Sequence, residues 1–386
     1  MQNYDVVIVG AGPAGLVAGI EVSKLGYKTI ILDKKRDYKD VEYHILGSFL
    51  NLREWGLTNN IIAQKIDELY FSSKNISFRI RKKGVANILD RAKLLGELNN
   101  QTIESGAKVE YGCFVNDAKI KDNNIINLTY NNLNTITGKI FVDASSTNSI
   151  LAIKNRLVKP ERETALGIEL LVPLKTEPKT VDVLIGSYFG GGYAHIAPMN
   201  EKTAIIGYNT FNKDENISLM LKKIFQHPRV KERVEYKIIE QKIVLLQTNL
   251  IKRFYKGNLV VVGDSAGQVN PLVGEGVRFV MDSAKIASKY IIRSLEENNP
   301  NNLKGYQKEW EHRYLEKYKC AKFLQNKAKE FTNNDRTCDL IAKQLSSLSD
   351  SDSLRFCKGD INRFFLLKIL FNHAIRKLYS SQSNVK

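Results

Sequence analysis

Residues 5–34 read DVVIVGAGPAGLVAGIEVSKLGYKTIILDK, and this stretch decides the fold. An apolar run from Asp5 to Val9 predicts a buried strand. Apolar residues at helical spacing from Leu16 to Leu25 predict a helix that stops at Gly26. A second apolar strand follows from Lys28 to Leu32 and ends at Asp33. This order of strand, helix and strand predicts a βαβ unit with a parallel sheet.

The turn between the first strand and the helix matches the spacing GxGxxG, from Gly10 to Gly15. In such a turn the first glycine allows the tight bend, the second lets a pyrophosphate approach the backbone, and the third lets helix and strand pack closely. The helix N-terminus favours the anion through its free N–H groups and dipole. At this end we assign dinucleotide binding to Gly10, Gly12, Pro13, Ala14, Gly15, Asp33 and Lys34.

Asp33 gives a first indication of which dinucleotide is bound. It follows Gly15 by 18 residues, at the place where a carboxylate accepts from the ribose hydroxyls. An aspartate there favours a ribose with a free 2′-hydroxyl, which means NAD or FAD rather than NADP. The motif alone does not separate NAD from FAD.

A second glycine-rich junction occupies residues 259–280, LVVVGDSAGQVNPLVGEGVRFV. Leu259 to Val262 predicts a third parallel strand, and an apolar helical pattern resumes after Gly276. An aspartate at a strand end can accept from a sugar-like hydroxyl, and the glycines admit a flat ring against bare backbone. A ribityl chain and an isoalloxazine need these groups, whereas a nicotinamide does not, so the cofactor prediction is FAD. Its contacts here are assigned to Gly263, Asp264, Pro271, Gly274, Glu275 and Gly276.

The segment GDSAGQVNPLVGEG resembles the flavin-binding segment of the p-hydroxybenzoate-hydroxylase-like FAD superfamily, and especially its geranylgeranyl reductase branch. That branch typically shows GD-x-AG-x-x-x-P-x-x-GEG. Residues 88–112 are similar to a helix whose early arginine contacts the phosphate–ribose region of FAD, which implies this role for Arg91. Residues 140–151 carry Ala144, Ser145 and Ser146 where the superfamily usually has a glycine.

The resemblance implies an α/β protein with a Rossmann-like FAD domain, an inserted antiparallel sheet that covers the flavin, and a helical C-terminal region. We predict that the FAD domain is discontinuous and comprises residues 1–67, 85–155 and 250–295. The substrate domain is predicted to comprise residues 68–84 and 156–249, and the helical region residues 296–386.

The substrate side is predicted from residues 165–210, whose alternating pattern is typical of antiparallel strands. Within them, GGGYAHIAPMNE (190–201) is interpreted as a turn-and-rim segment. It is similar to a segment of the reductase branch, Gly-Tyr-x-Trp-x-Phe-Pro, that faces isoalloxazine and substrate. Here His195 replaces the tryptophan and Ala197 the phenylalanine. Tyr193 and His195 are therefore candidate catalytic residues, each as a proton donor. The alternatives for Tyr193 are an aromatic residue in the cavity wall or a core residue, and the alternative for His195 is a hydrogen bond within a strand.

His44 is the third candidate catalytic residue. It lies in VEYHILGS (41–48), where the branch commonly has a cysteine and this chain has none. The alternative interpretation is an ordinary loop histidine. The scattered histidines and the four cysteines, which lack CxxC spacing, predict neither a protein metal site nor a disulfide framework.

The chain carries a formal net charge of +17. This charge fits a solvated basic surface or contact with an anionic membrane, and no nucleic-acid-binding module accompanies it, so we expect no nucleic acid partner. From Leu303 the pattern is helical, and FFLLKILFNHAIRKLY (364–379) has an apolar face flanked by basic residues. That face comprises Phe364, Leu367, Phe371, Ala374, Ile375 and Leu378. It fits core packing, a membrane surface, or the frame of an opening for a lipid.

The leading hypothesis is an FAD-dependent reductase of isoprenoid double bonds, with a long-chain isoprenoid or other apolar molecule as substrate. The alternative is a flavin-dependent monooxygenase acting on an aromatic or polyketide-like molecule. The sequence leaves open whether NAD(P)H or ferredoxin is the electron donor. The apolar start carries no basic leader, so we expect no export signal and a cytoplasmic location, with or without contact to a membrane surface.

Overall fold

The computed structural model describes residues 2–160, 164–189, 192–210, 216–247, 249–331 and 333–370. Its strands, in chain order, are β1 (Gln2–Val9), β2 (Thr29–Leu32), β3 (Ile45–Ser48), β4 (Ile62–Ser72), β5 (Ser77–Asp90), β6 (Lys108–Glu110), β7 (Val115–Lys121), β8 (Asn124–Tyr130), β9 (Asn134–Asp143), β10 (Thr164–Pro173), β11 (Thr180–Ile185), β12 (Tyr193–Pro198), β13 (Thr203–Thr210), β14 (Glu240–Gln247), β15 (Tyr255–Lys256) and β16 (Leu259–Val261).

The helices are α1 (Pro13–Ser23), α2 (Arg91–Glu104), α3 (Ile150–Lys154), α4 (Ile217–Gln226), α5 (Pro228–Arg233), α6 (Val277–Glu296), α7 (Lys304–Trp310), α8 (Glu316–Phe331), α9 (Asp335–Leu345) and α10 (Asp350–Cys357). A π-helical turn, Glu311–Leu315, joins α7 to α8. Residues 363–370 are also helical.

The first sheet contains the predicted βαβ unit. Its strand order is β15-β16-β9-β1-β2-β6, and β7 and β8 extend it from β9. The strands β1, β2, β9 and β16 pair in parallel, so their carboxyl ends lie at one edge. Both faces of β1 are covered, because Val6, Val7 and Ile8 are fully buried. The predicted Rossmann-like α/β fold is confirmed, and both glycine-rich junctions lie at this edge.

The second sheet is largely antiparallel and has the order β14-β10-β13-β12-β11-β4-β5-β3. One face packs against α4 and α5 through residues such as Ile206 and Ile224. The opposite face carries Leu69, Ala197 and Ile205, and α10 packs against it. We call this opposite face the inner face. Strand β3 and parts of β4 and β5 belong to segments 1–67 and 85–155, which are predicted from the sequence to lie in the FAD domain. The division into domains stays a prediction.

The interpretation of residues 190–201 as a turn-and-rim segment is wrong for its middle part. Tyr193–Pro198 forms β12, a central strand between β11 and β13. The physical reason lies at Gly192, where an added Cβ would be 1.7 Å from the carbonyl oxygen of Asn209. Glycine here permits a close approach to the neighbouring strand instead of marking a turn.

The C-terminal region is helical as predicted, but the buried apolar residues of 363–370 are not the ones that the sequence pattern placed on the apolar face. Phe365 and Ile369 are buried, whereas Phe364 is 83% exposed and Leu367 48% exposed. The predicted positions Phe371, Ala374, Ile375 and Leu378 lie outside the described residues. Core packing is therefore wrong as an interpretation of Phe364 and Leu367.

Across the ranges given above, the structure contains no helix with the length and apolar character that a membrane span requires.

Candidate functional site

The first junction is built from Gly10, Gly12 and Gly15, and each glycine has a different surrounding. Gly10 has φ of +108°, and an added Cβ would lie 2.2 Å from the carbonyl oxygen of Ala144. A Cβ on Gly15 would lie 1.9 Å from the carbonyl oxygen of Gly10. A Cβ on Gly12, by contrast, would have no atom within 4 Å among the described residues other than its own chain neighbours. The space beside Gly12 is therefore open, directly at the N-terminus of α1.

That N-terminus presents free backbone donors. Gly12 is the N-cap of α1 and supplies no side-chain cap, and Pro13 is the first helical residue. The first N–H groups of the helix therefore point towards the open space beside Gly12. This arrangement fits a pyrophosphate group, which needs both the space and the donors.

Asp33 lies at the end of β2 and is buried against the glycine-rich turn. Its carboxylate accepts hydrogen bonds from the backbone N–H of Ala11 at 2.6 Å and of Lys35 at 2.8 Å. A carboxylate has further lone pairs, so Asp33 can also accept from ribose hydroxyls. Lys34 is exposed, whereas burial lowers the pKa of its neighbour Lys35.

Arg91 is the first residue of α2, and Asp90 caps that helix by accepting from the N–H of Lys93. The Arg91 guanidinium is buried and stacks on the Tyr43 ring at 3.6 Å. Its Nε and Nη1 atoms have no hydrogen-bond partner among the described residues, and burial lowers the pKa of the group. A buried cation without acceptors is costly, and the phosphate or ribose oxygens of a dinucleotide would satisfy it.

The second junction touches the first. A Cβ on Gly263 would lie 2.9 Å from Cβ of Ala14, so the missing side chain lets the two junctions meet. The next residue, Asp264, is half-buried and accepts a hydrogen bond from Ser146 Oγ at 3.3 Å. Burial raises the pKa of Asp264, and the charge of Arg91 opposes that rise.

Ser146 occupies the place where the superfamily usually has glycine. Its φ is +61°, which lies in the left-handed region that favours glycine. Its hydroxyl reaches Asp264, and its carbonyl oxygen accepts from Ser149 and Ser265. The serine therefore adopts a backbone conformation that favours glycine and adds a side-chain contact to the second junction.

The loop of the second junction is held by the C-terminal region. Nδ2 of Asn270 donates to the carbonyl oxygen of Gly359, and Gln325 donates to that of Pro271 at 2.5 Å. Glu275 is buried and pairs with Arg278 at 3.1 Å, and burial raises its pKa. Gly276 is the N-cap of α6 and supplies no side-chain cap, so free N–H groups are available there as well.

Tyr193 connects the second sheet to this loop. Its hydroxyl donates to the carbonyl oxygen of Val273 at 3.4 Å, and an added Cβ on Gly274 would lie 3.2 Å from that hydroxyl. Tyr193 also shares a hydrogen bond with Asn209, and burial raises its pKa. The inner face of the second sheet therefore meets the loop of the second junction at Tyr193.

His195 lies two residues further along β12, on the same face of the sheet. Its ring centroid is 6.3 Å from that of Tyr193, and its buried Nδ1 has no hydrogen-bond partner within the described part of the chain. Burial lowers the pKa of His195, and the charge of Glu169 opposes this. The ring lies over Gly207 of β13, where an added Cβ would be 2.0 Å from its Cε1 atom.

His44 does not lie beside Tyr193, but the Glu169 carboxylate connects it to the row of cross-strand neighbours that contains His195. The register places Glu169, Gly207 and His195 directly opposite one another on β10, β13 and β12. His44 donates its backbone N–H to Glu169 Oε2 at 3.1 Å, and its Nε2 is 2.9 Å from Glu240 Oε2. The Glu169 carboxylate beside it raises the pKa of His44.

Sequence reasoning missed Tyr43, Glu169 and Gly207. A signal for Glu169 was present in ALGIELLVPL (165–174), where it is the charged residue on the side of the strand that also carries Ala165, Gly167 and Leu171. The sequence carries no signal for Gly207 or Tyr43, because their contacts with His195 and Arg91 arise only when the strands pair and α2 packs in the folded protein.

Comparisons with known proteins agree with this geometry. The family model described as FAD dependent oxidoreductase matches residues 5–163. Digeranylgeranylglycerophospholipid reductase 1 of Methanopyrus kandleri is 26% identical over 83% of this chain and 89% of its own length. Digeranylgeranylglycerophospholipid reductase of Methanocaldococcus jannaschii is 26% identical over 93% of this chain and 95% of its own length.

Solved structures support the fold. A geranylgeranyl bacteriochlorophyll reductase-like protein from Thermoplasma acidophilum superposes with a TM-score of 0.84 at 18% identity, covering 98% of this chain and 99% of that chain. The flavin-dependent brominase Bmp2 superposes with a TM-score of 0.73 at 17% identity, covering 98% and 100%. The chain is an FAD-dependent oxidoreductase, and its sequence and fold are similar to those of geranylgeranyl reductase-like proteins.

Proposed function

We propose that the protein reduces carbon–carbon double bonds of an isoprenoid chain carried by a lipid or a prenyl pyrophosphate. The two archaeal relatives are named as reductases of digeranylgeranylglycerophospholipid, which supports this substrate class. The observation that carries the proposal is the hydrogen bond from Tyr193 to Val273, because it joins an apolar sheet face to the loop of the second junction.

FAD, when bound and reduced, supplies a hydride for one carbon of the double bond. The other carbon needs a proton, and an isolated alkene is a very weak base, so the surroundings must exclude water. The inner face supports this requirement. Beyond His195 its cross-strand row continues with Val183, Phe71 and Phe78, and the last two rings stack at 5.0 Å. Aromatic faces also tolerate transient positive charge.

His195 is the proposed proton donor. Its surroundings lower the pKa of the imidazole, so a proton that reaches His195 is held weakly and is readily given up. Tyr193 has the opposite role, because a raised pKa keeps its phenol protonated near neutral pH. The phenol fixes the loop against the sheet through Val273 and helps to position the substrate.

His44 and Glu169 are proposed to supply protons to His195 from solvent. Glu240 is 46% exposed and contacts His44, and His44 contacts Glu169. Glu169 in turn lies in the row of His195, with the side-chain-free Gly207 between them. These groups lie between the surface and the imidazole, and we propose that protons pass along them.

The FAD contacts follow from the two junctions. Gly12 and the start of α1 would hold the pyrophosphate, Arg91 its oxygens, and Asp33 the ribose. Asp264 would accept from the ribityl chain. The remaining proposed contacts are Gly10, Pro13, Ala14, Gly15, Lys34, Gly263, Pro271, Gly274, Glu275 and Gly276.

The electron donor in this proposal is NAD(P)H or ferredoxin. Contact with an anionic membrane is supported by the exposed Phe364, Leu367 and Leu370, which lie among basic residues. The protein is proposed to work in the cytoplasm, at or near such a surface, with FAD and substrate held by the domains predicted from the sequence.

The experiment is product analysis by mass spectrometry after incubation of the FAD-loaded protein with dithionite and a geranylgeranyl substrate, with and without oxygen. The proposal expects saturated product in both atmospheres. In His195→Ala we expect kcat to fall by roughly a hundredfold with unchanged FAD content. The matched control is His312→Ala, an exposed histidine far along the chain.

A hydroxylated product that forms only with oxygen would overturn the reductase proposal in favour of a monooxygenase. Equal turnover in wild type and His195→Ala would remove His195 from the chemistry while leaving the reaction class intact.

A further inference from the structure

A groove of about 600 Å³ opens between the free part of β5 and the C-terminal helices. β3 pairs only with residues 87–90 of β5, so the preceding residues of β5 form this wall. Five basic side chains line the groove: Arg81, Lys82, Lys317, Arg355 and Lys358. Two acidic side chains, Asp350 and Asp360, also line it. The lining is therefore net positive. We call this feature the basic groove.

Three of the five cations are already held by protein groups. Arg81 pairs with Glu68 at 2.7 Å and Lys317 with Asp360 at 3.1 Å. Arg355 donates to the carbonyl oxygen of Asp360 at 2.8 Å. Lys82 and Lys358, in contrast, have no carboxylate partner among the described residues. These two ammonium groups are the available charges of the basic groove.

The floor of the basic groove leads into the inner face. Ile80 lines the groove and also belongs to a closely packed apolar cluster, without room for a water molecule, between the sheet and the helices α9 and α10. Phe71 and Phe78 belong to that cluster, and the register continues from Phe71 through Val183 to His195. Three strand spacings separate Phe78 from His195, which is about 14 Å. The side chains along this cross-strand row are apolar until the row reaches His195.

The other end of the basic groove is tied to the second junction. Arg278 donates to the carbonyl oxygen of Lys358 at 2.7 Å and pairs with Glu275 of the junction. Nζ of Lys358 lies 5.6 Å from the centre of the Phe49 ring. A ligand in the groove would therefore lie in a fixed position relative to the loop that contacts Tyr193.

We propose that the basic groove binds the phosphate group of the isoprenoid substrate, through Lys82 and Lys358, while its chain follows the apolar floor towards His195. This inference rests on the proposed function and adds the recognition of an anionic head group. A phosphodiester of a glycerolipid and the diphosphate of a prenyl diphosphate share this chemistry, since ammonium groups bind either as point charges.

The test compares substrates of one chain length that differ in the head group. Geranylgeranyl diphosphate, a geranylgeranylated glycerophospholipid and geranylgeraniol are assayed with the wild type and with Lys82→Gln/Lys358→Gln. We expect KM of the double variant to rise roughly fivefold to tenfold for the phosphorylated substrates and to stay unchanged for the alcohol. The phosphorylated substrate with the larger rise identifies the source of the phosphate.

A matched control removes two exposed lysines from β7, in the variant Lys119→Gln/Lys121→Gln, which changes the net charge equally. An unchanged KM in the groove variant, an equal rise for the alcohol, or the same rise in the control would overturn the inference. If the wild type reduces none of the substrates, the proposed function fails instead. Titration with inorganic pyrophosphate then still tests the groove, which must bind it more tightly in wild type than in the groove variant.

Discussion

The imidazole of His195 lies directly over Gly207 of the neighbouring strand. A Cβ added to Gly207 would be 2.0 Å from Cε1 and 2.2 Å from Nε2 of His195. Real Cβ atoms essentially never approach other atoms closer than 3.0 Å, so a side chain at position 207 and this ring position exclude each other. Gly207 also lies between His195 and Glu169 in the cross-strand row.

Gly207→Ala is therefore expected to displace the ring of His195. We expect a loss of about 1–3 kcal/mol in the free energy of unfolding, as for other overpacked positions. We also expect a roughly hundredfold lower kcat with unchanged FAD content. Urea unfolding and anaerobic turnover measure the two effects.

The control for this prediction is a double-mutant cycle with His195→Ala. Once the ring is removed, Gly207→Ala should cost far less stability than in the wild type. An equal cost in both backgrounds would contradict the packing of His195 on Gly207.

Gly10 and Gly12 should respond differently to the same substitution. Gly10→Ala introduces a Cβ 2.2 Å from Ala144 and a side chain at φ of +108°, so we expect it to prevent stable folding. The Cβ of Gly12→Ala meets no described residue beyond its chain neighbours within 4 Å, so the apoprotein should change in stability by less than about 1 kcal/mol. Its methyl group takes the space beside the helix N-terminus, and FAD affinity should fall roughly tenfold or more.

The measurements are thermal unfolding of the apoproteins and FAD titration by flavin fluorescence. If Gly12→Ala binds FAD as tightly as the wild type, the pyrophosphate does not bind beside Gly12.

Arg91→Met should separate apoprotein stability from cofactor affinity. The substitution removes a buried cation whose Nε and Nη1 lack partners among the residues that the structure describes, so the apoprotein should be as stable as the wild type or more stable. FAD should bind roughly tenfold to a hundredfold more weakly, because charge-assisted hydrogen bonds are lost. Arg293→Met is the control, since Arg293 is exposed and pairs with Glu297 on α6. A large loss of apoprotein stability in Arg91→Met would indicate a purely structural arginine.

His44 should make stability depend on pH. Because Glu169 raises the pKa of His44 above 6.5, the folded protein binds its proton more tightly than the unfolded chain. The resulting stabilisation is fully present below pH 6.5 and is lost as the pH rises through the folded-state pKa. His44→Gln should therefore cost up to about 1 kcal/mol at pH 6 and less at pH 9. Urea unfolding at both values measures this, with the exposed His312→Gln as the control. A cost that is larger at pH 9 would contradict the ion pair.

The two junctions could be predicted from sequence because their signals are local. Strand, turn and helix follow one another within thirty residues or so, and the glycine spacing specifies the backbone. The same is true of Asp33, which lies at a strand end that the apolar pattern marks. The predicted Rossmann-like fold and the FAD cofactor are accordingly confirmed.

The substrate side could be predicted only in part, because its groups meet through strand pairing. Alternation predicts which residues of β10 share a face, but it does not tell that Glu169 lies opposite Gly207 or that Gly207 lies opposite His195. Consecutive glycines before Tyr193 resemble a turn, although Gly192 permits close strand contact. The roles of Tyr193, His195 and His44 stay predictions.

The most direct test of the central claim follows the flavin absorbance when reduced, oxygen-free holoprotein is mixed with a geranylgeranyl substrate in a stopped-flow instrument. We expect the flavin to reoxidise without oxygen, at a rate that depends on substrate concentration, and the product to gain a pair of hydrogen atoms for each double bond. Flavin that stays reduced until oxygen is admitted would contradict the account.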